Sequence, residues 1–263
     1  MLINSVILVL REVLEAAMVI SVLLALSMHL RIPLRWLWLA LPFTLVFTLL
    51  FAGNLDTMTD AFDGAGQEVV SASLQVLVFF CLLAVVFLAQ RQRVRASDPV
   101  AQLPWIMALA VVCALVREGS EILIYIIGFA TSEQHRTAVF AGSAVGAGIG
   151  VSLGVLLYAA LRALPVNFAS NVCYLLLAFI GAGMVMQSTM LLEQVDWLLA
   201  GEQLWDSSFL ISEHSITGQL LYAVFGYEAT PGINQVLLYG ASLAAVVMAW
   251  WLAGFVGGKA DDK

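Results

Sequence analysis

Seven long apolar runs divide the chain, at about 3–28, 36–53, 69–90, 104–130, 137–162, 171–191 and 235–256. A hydrocarbon layer of about 30 Å is crossed by roughly 20 apolar residues in a helix, so each run predicts one membrane span. Short polar stretches separate the first six runs, and a longer one, 192–234, precedes the seventh. Two runs are interrupted near their middle by the same kind of charged string. Arg11-Glu12-Val13-Leu14-Glu15 breaks the first, and Arg117-Glu118-Gly119-Ser120-Glu121 breaks the fourth. The expected fold class is an all-α polytopic membrane protein of seven transmembrane helices.

Composition agrees with that pattern. The chain is 62% hydrophobic and 11% charged, with mean hydropathy +0.98; a soluble domain carries about 25% charged residues. The first run is not expected to be a cleaved signal peptide, because charges stand where an unbroken apolar stretch belongs and no basic residue precedes it.

Charge placement then orients the bundle. Arg31, Arg35, Arg91, Arg93, Arg95 and Arg162 follow the odd-numbered spans. The stretches after the even-numbered spans hold Asp56, Asp60, Asp63 and Glu68, then Glu133 with Arg136, then six acids from Glu193 to Glu228. Lys and Arg mark the cytoplasmic side, so the N-terminus is expected outside and the acidic balance (net −7 overall) on the outer face.

With three spans per unit, the two charged helices run antiparallel. Residues 1–90 and 104–191 therefore read as a 3+3 inverted repeat, followed by an extracytoplasmic segment, 192–234, and a seventh helix, 235–256, all within one transmembrane domain, 1–263. Inverted repeats place a shared site near the bilayer midplane, where both strings fall.

The spacing of the strings defines their chemistry. Residues three and four apart share a helix face. Glu12 with Glu15, and Glu118 with Glu121, can thus each present two carboxylates to one point. Arg11 is expected to reach Glu15, and Arg117 to reach Glu121, at i,i+4. Ionised side chains in hydrocarbon are costly and are retained mainly for function. Oxygen-only donors select hard cations. At this level two readings stand: a cation-transport site, or ion pairs that staple two helices in a non-transporting assembly subunit.

These strings resemble those of the oxidase-dependent iron transporter family, which includes the fungal high-affinity iron permease and its bacterial iron-uptake relatives. The likeness extends to Ala16, Ala17 and Ser21-Val22-Leu23-Leu24 after the first string, and to Gly66-Gln67-Glu68 at the opening of span three. It continues through Leu204-Trp205-Asp206, Gly218-Gln219-Leu220-Leu221, Gly226-Tyr227 and Pro231. The resemblance implies import of iron, as Fe3+, across the cytoplasmic (inner) membrane, with Glu12, Glu15, Glu118 and Glu121 as metal ligands. Arg11 and Arg117 would be their ion-pair partners and Glu68 an accessory acid. It implies no catalytic activity and no cofactor, with iron as substrate. An extracytoplasmic ferroxidase or iron-delivery protein is an expected partner, and no nucleic acid is. Lead or manganese in place of iron is the alternative within the same fold. Ser120 departs from the aliphatic residue of many members. The sequence has no long periplasmic N-terminal extension, so no built-in oxidase function is expected.

Other features bear on the path and its packing. Asp56, Asp60, Asp63 and Glu68 form a cluster of one sign that would concentrate cations at an entrance. Gly142, Gly146, Gly150 and Gly154 recur every fourth residue, which predicts close helix packing within the bundle. Gln187, Ser188 and Thr189 can line the path or bond between helices. Trp197, Trp205 and Phe209 predict short helices lying at the outer interface over 192–234. Cys81, Cys113 and Cys173 lie in spans without C-x-x-C spacing, which argues against a disulfide or thiolate metal site. His29, His135 and His214 are expected in loops, so no axial haem ligand is offered within a span. Neither H-E-x-x-H nor a phosphate loop is present.

Overall fold

A computed structural model describes residues 2–95, 100–130, 133–212 and 215–258. Helices cover every expected run: α1 (Leu2–His29), α2 (Arg35–Gly53), α4 (Gly66–Arg95), α5 (Leu103–Ala130), α6 (Glu133–Ala163), α7 (Val166–Gln194) and α9 (Ile233–Gly258). Two short helices join them, α3 (Leu55–Asp60) and α8 (Ile216–Phe225), with a 3-10 turn at Ala61–Gly64 after α3. Among the described residues the only β-type pairing is an isolated bridge between Gln203 and Gly232. Pro104 stands in the first turn of α5 and Pro165 at the N-cap of α7, where a missing N–H costs no helical bond.

Five helices are long and apolar enough to cross a membrane: Arg35–Gly53, Gly66–Val94, Arg136–Ala163, Phe168–Gln194 and Ile233–Val256. Large apolar side chains cover their outer faces, including Trp38 at 76% exposure, Leu156 at 64% and Leu237 at 63%. Such a shell is stable only against lipid, so the chain is a multi-pass membrane protein. The helices bearing the charged strings, α1 and α5, have 28 residues each, or about 42 Å at 1.5 Å per residue. Both are largely enclosed by the others: 14 residues of α1 are buried.

α1 lies along α6, and α5 lies along α2, while α4 and α7 pack on each other and both on α9. The α1–α6 contact is made by the glycine stripe, as its spacing predicts. A Cβ at Gly142, Gly146, Gly150 or Gly154 would stand 2.7, 2.5, 2.9 and 2.7 Å from the nearest atom of α1. Only glycine permits this backbone approach, and Ser21 Oγ fastens it by donating to the Gly154 carbonyl at 2.8 Å. In the α5–α2 contact the small residue is on the other partner, with Gly119 facing Thr48.

The polar ends of the bundle are tied separately. At the end read as cytoplasmic, His29 Nε2 bonds the Leu161 carbonyl oxygen at 3.1 Å and Arg93 donates to Asn171 at 2.8 Å. His135, expected in a loop, lies in the first turn of α6, and His214 lies outside the described residues. At the opposite end, read as the outer one, Phe62 packs edge-on against Trp197 with ring centroids 5.5 Å apart. The turn carrying Phe62 and Asp63 places both at positive φ, 53° and 61°.

The segment 192–234 departs from expectation. The described part of 195–212 holds no helix, and α8 does not lie along the interface. Instead α8 packs against α1 and α7 and ends where Gly226, at φ 65°, meets Gly183 backbone to backbone. Gly183 stands eleven residues before the end of α7, about 16 Å into the bundle. Two glycines without a Cβ make that insertion sterically possible: a Cβ on Gly226 would sit 2.6 Å from the Gly183 Cα. Ser215 caps the start of α8 by accepting from the Gly218 N–H at 3.0 Å.

Candidate functional site

The two charged strings meet where α1 crosses α5. Glu12 is fully buried, Glu118 is 2% exposed, Glu15 3% and Arg117 6%. Arg11 donates to Glu12 Oε1 through Nε at 2.9 Å and Nη2 at 2.5 Å. This corrects the expected i,i+4 pairing with Glu15, since the Glu15 carboxylate is turned toward α7. Arg117 does reach Glu121, with Nη2 at 2.8 Å from Oε1. Its Nη1 also bonds Glu118, lies 3.2 Å from Glu12 Oε2 and stands 3.7 Å from Glu15 Oε2. One guanidinium thus touches all four carboxylates.

Donor oxygens of Glu12, Glu118 and Glu121 lie within 4.8 Å of one another. Oxygens that share one cation at about 2.0–2.6 Å are separated by roughly 3–5 Å, so these three are spaced to share a single ion once the Arg117 guanidinium among them gives way. Glu15 stands apart from that trio. Gln187 Nε2 donates to Glu15 Oε2 at 3.0 Å, and Gln75 Nε2 donates to Gln187 Oε1 at 2.5 Å. Glu15 Oε1 and Gln75 Oε1 are buried without a hydrogen-bond partner among the described residues. Losing one member of such a buried charged set costs about 3–5 kcal/mol, because its partner is left uncompensated.

A cavity of about 320 Å³ adjoins the cluster on the side read as outer, room for about ten waters at roughly 30 Å³ each. Arg11, Arg117 and Glu121 line its floor, α7 contributes Gln187, Met190 and Gln194, and the inserted segment contributes Gln219, Tyr222 and Glu228. The Tyr222 ring lies beneath the Arg11 guanidinium, 5.3 Å from its centroid, a cation–π contact that ties α8 to the first string. The cavity is thus large enough for a hydrated cation, whereas the carboxylates of the trio behind it are spaced for a bare one.

The acids expected at the entrance are placed differently. Asp60 and Asp63 are exposed, and the Asp56 side chain lies outside the described residues. Glu68 stands in the first turn of α4, half-buried, with Oε2 unpartnered among the described residues. Among the described residues, the cavity lining includes none of them. Sequence reasoning missed Gln75, Tyr222 and Glu228. Gln75 had a usable signal, being the one strongly polar side chain in the interior of its own apolar run, whereas Tyr222 and Glu228 enter the site only through the insertion of α8.

Apolar helices of membrane-crossing length, closed around a charged centre with an adjoining polar cavity, define a multi-pass membrane permease. A model of the iron permease FTR1 family matches residues 2–257, and the chain belongs to that family. It is 24% identical to the ferrous iron permease EfeU of Escherichia coli O6:H1 (strain CFT073), over 96% of both chains. It is equally similar to the ferrous iron permease EfeU of Shigella sonnei (strain Ss046), with the same identity and coverage. A third similar protein, ferrous iron permease EfeU of Shigella flexneri, is 25% identical over 60% of this chain and 67% of its own. No solved structure matches the chain.

Proposed function

We propose that this iron permease moves iron inward through the Glu12/Glu118/Glu121 trio, with Glu15 as the fourth carboxylate of the path. The convergence of those three donor sets within 4.8 Å, from both strings, carries the reading. Iron enters the outer cavity hydrated, exchanges water for carboxylate at Glu121, and passes to the buried trio. Inward transfer gains about 2.3 kcal/mol per charge per 100 mV, so the membrane potential favours it. The helices α1 and α5 are spans alongside the five already described, giving seven, with the N-terminus outside in the cytoplasmic membrane.

An inverted repeat is supported by which helices pair. If α1, α2 and α4 correspond to α5, α6 and α7, a twofold axis in the membrane plane maps the α1–α6 contact onto the α5–α2 contact. Those are the most extensive pairings that each of the two motif helices makes. α4 with α7, and α1 with α5, then pair with their own counterparts, as such an axis requires. Movement of one half against the other would expose the trio alternately to each side.

All-oxygen donors favour the harder ferric ion, whereas the relatives are named for ferrous iron. Oxidation by a separate ferroxidase at the outer face brings the two together, with Asp60 and Asp63 gathering the ion. Uptake of radioactive iron into proteoliposomes of the purified chain tests this. Glu12→Gln and Glu118→Gln should each reduce the rate at least tenfold while the protein elutes and melts like wild type. Retained uptake in either refutes the ligand assignment. Undiminished uptake of Fe2+ under strict anaerobiosis would remove the ferric step and leave the site.

A further inference from the structure

Arg117 occupies the place a metal ion would take. Its two terminal nitrogens contact Glu12, Glu118 and Glu121, the same carboxylates whose oxygens converge for an ion, and Nη1 also stands 3.7 Å from Glu15. A metal and this guanidinium cannot share those oxygens. The arginine is not locked on every side, because its Nε is buried without a hydrogen-bond partner among the described residues. Its side chain also lines the outer cavity of about 320 Å³, which has space for the displaced guanidinium and, in Glu228, a carboxylate to face it.

We propose that Arg117 is a tethered counter-cation that an incoming metal ion displaces into the cavity and that returns to expel the ion. This rests on the trio being the iron site. Four carboxylates gathered this closely, three of them buried, repel one another and need a positive charge whether or not cargo is present. A site that strips water from iron also tends to retain it. Competition by a built-in cation solves both problems: it neutralises the site between cycles and weakens metal binding when the ion must leave. Arg11, which pairs with Glu12 alone and stacks on Tyr222, stays in place throughout.

The sign of one binding change separates this role from that of an arginine which merely orients its neighbours. If Arg117 competes, Arg117→Gln binds metal more tightly; if it only positions the carboxylates, the variant binds more weakly. Equilibrium dialysis of the purified full chain against Fe2+ alone, without oxygen, should show Kd falling at least fivefold in Arg117→Gln. Uptake into proteoliposomes should slow at the same time, because release is impaired. A smaller fall, or any rise, overturns the proposal. Should Arg117→Gln fail to fold, Arg117→Lys keeps the charge without the two-nitrogen fork, and its Kd should fall by a lesser factor; no fall overturns the proposal. In Arg117→Ala, added methylguanidinium should weaken Fe2+ binding, an effect absent from wild type at the same concentration; no weakening overturns it. Glu118→Gln keeps the two questions apart. Fe2+ binding that persists in Glu118→Gln removes the metal-site reading itself, whereas binding lost there but not tightened in Arg117→Gln removes only the competition.

Discussion

The α1–α6 crossing is the most severe steric constraint in the bundle, and replacing Gly146 tests whether it sets the position of the carboxylates. A Cβ at 146 would stand 2.5 Å from the Val6 carbonyl oxygen and 3.0 Å from the Leu10 nitrogen. Both are backbone atoms, so no side chain can rotate away. Ordinary contact is about 3.5–4.0 Å, and Gly146→Ala therefore forces α6 and α1 apart by about 1 Å. Overpacking of this kind costs about 1–3 kcal/mol. Gly148 lies half a turn away with nothing within 4 Å of its Cβ position; Gly148→Ala instead gains roughly 0.5–1 kcal/mol of helix stability. The two alanines, in one helix and two residues apart, should thus move thermal stability in opposite directions. Because Glu12 rides on α1 beside the crossing, a shift of about 1 Å also lowers iron uptake by on the order of 10–100-fold, by analogy with misplaced reacting groups. Thermal melting in detergent and proteoliposome uptake read the two effects. Equal melting and equal uptake in both variants would refute the argument that close backbone contact fixes the site.

Two further substitutions probe the surroundings of the cluster. Gln187→Leu removes the donor to Glu15 and the acceptor of Gln75 together, leaving buried polar groups at a cost of about 1–3 kcal/mol each; melting should fall and iron uptake drop at least fivefold, and wild-type values for both would show that the glutamine chain does not hold Glu15. Gly226→Ala places a Cβ 2.6 Å from Gly183 at a left-handed backbone position, so α8 should withdraw and Tyr222 become accessible to protease or label. Gly64→Ala, also at positive φ but with open space around it, is the control for strain alone, at roughly 1–2 kcal/mol, and should leave uptake intact; equal accessibility of α8 in both variants would argue against the glycine contact.

Much of the fold is legible in the sequence because hydrocarbon leaves few options. Each apolar run must satisfy its backbone internally, so each run becomes one helix, and the observed ends match the expected ones or extend them by up to five residues. The extensions occur where polar side chains such as Arg91 and Arg93 carry a helix beyond the apolar layer. The partner of the glycine stripe was not legible. Spacing shows that something packs closely on α6, whereas only the structure identifies it as α1. The insertion of α8 was hidden for a different reason. Its ten residues are apolar but too few to cross a membrane, and composition assigns such a segment equally well to the interface or to the interior. The contact of Gly183 with Gly226 decides between them, and two single glycines 43 residues apart carry no periodic signal.

The site shows the same division between local spacing and long-range placement. Helical periodicity is enough to place Arg117 against Glu121, because both lie on one helix and turn with it. It cannot rank the contacts open to Arg11, which has Glu12 and Glu15 on its own helix and Tyr222 arriving from α8. The outcome follows from charge balance across the interface. Arg117 already lies against one oxygen of Glu12, so Glu12 holds its position between two guanidiniums. Glu15, left with only the more distant Nη1, takes the amide of Gln187 in place of a second arginine. That arrangement makes the four glutamates unequal, though the repeated string implies that they are alike. Three converge with an arginine at their centre, and the fourth is held by a neutral amide chain, with one oxygen buried and unpartnered. A neutral partner leaves Glu15 better able to accept a passing cation than a carboxylate already matched to an arginine. On the proposed path, Arg117 yields close contacts at the trio but only its 3.7 Å contact at Glu15, so the fourth carboxylate would take the ion against weaker competition from the guanidinium.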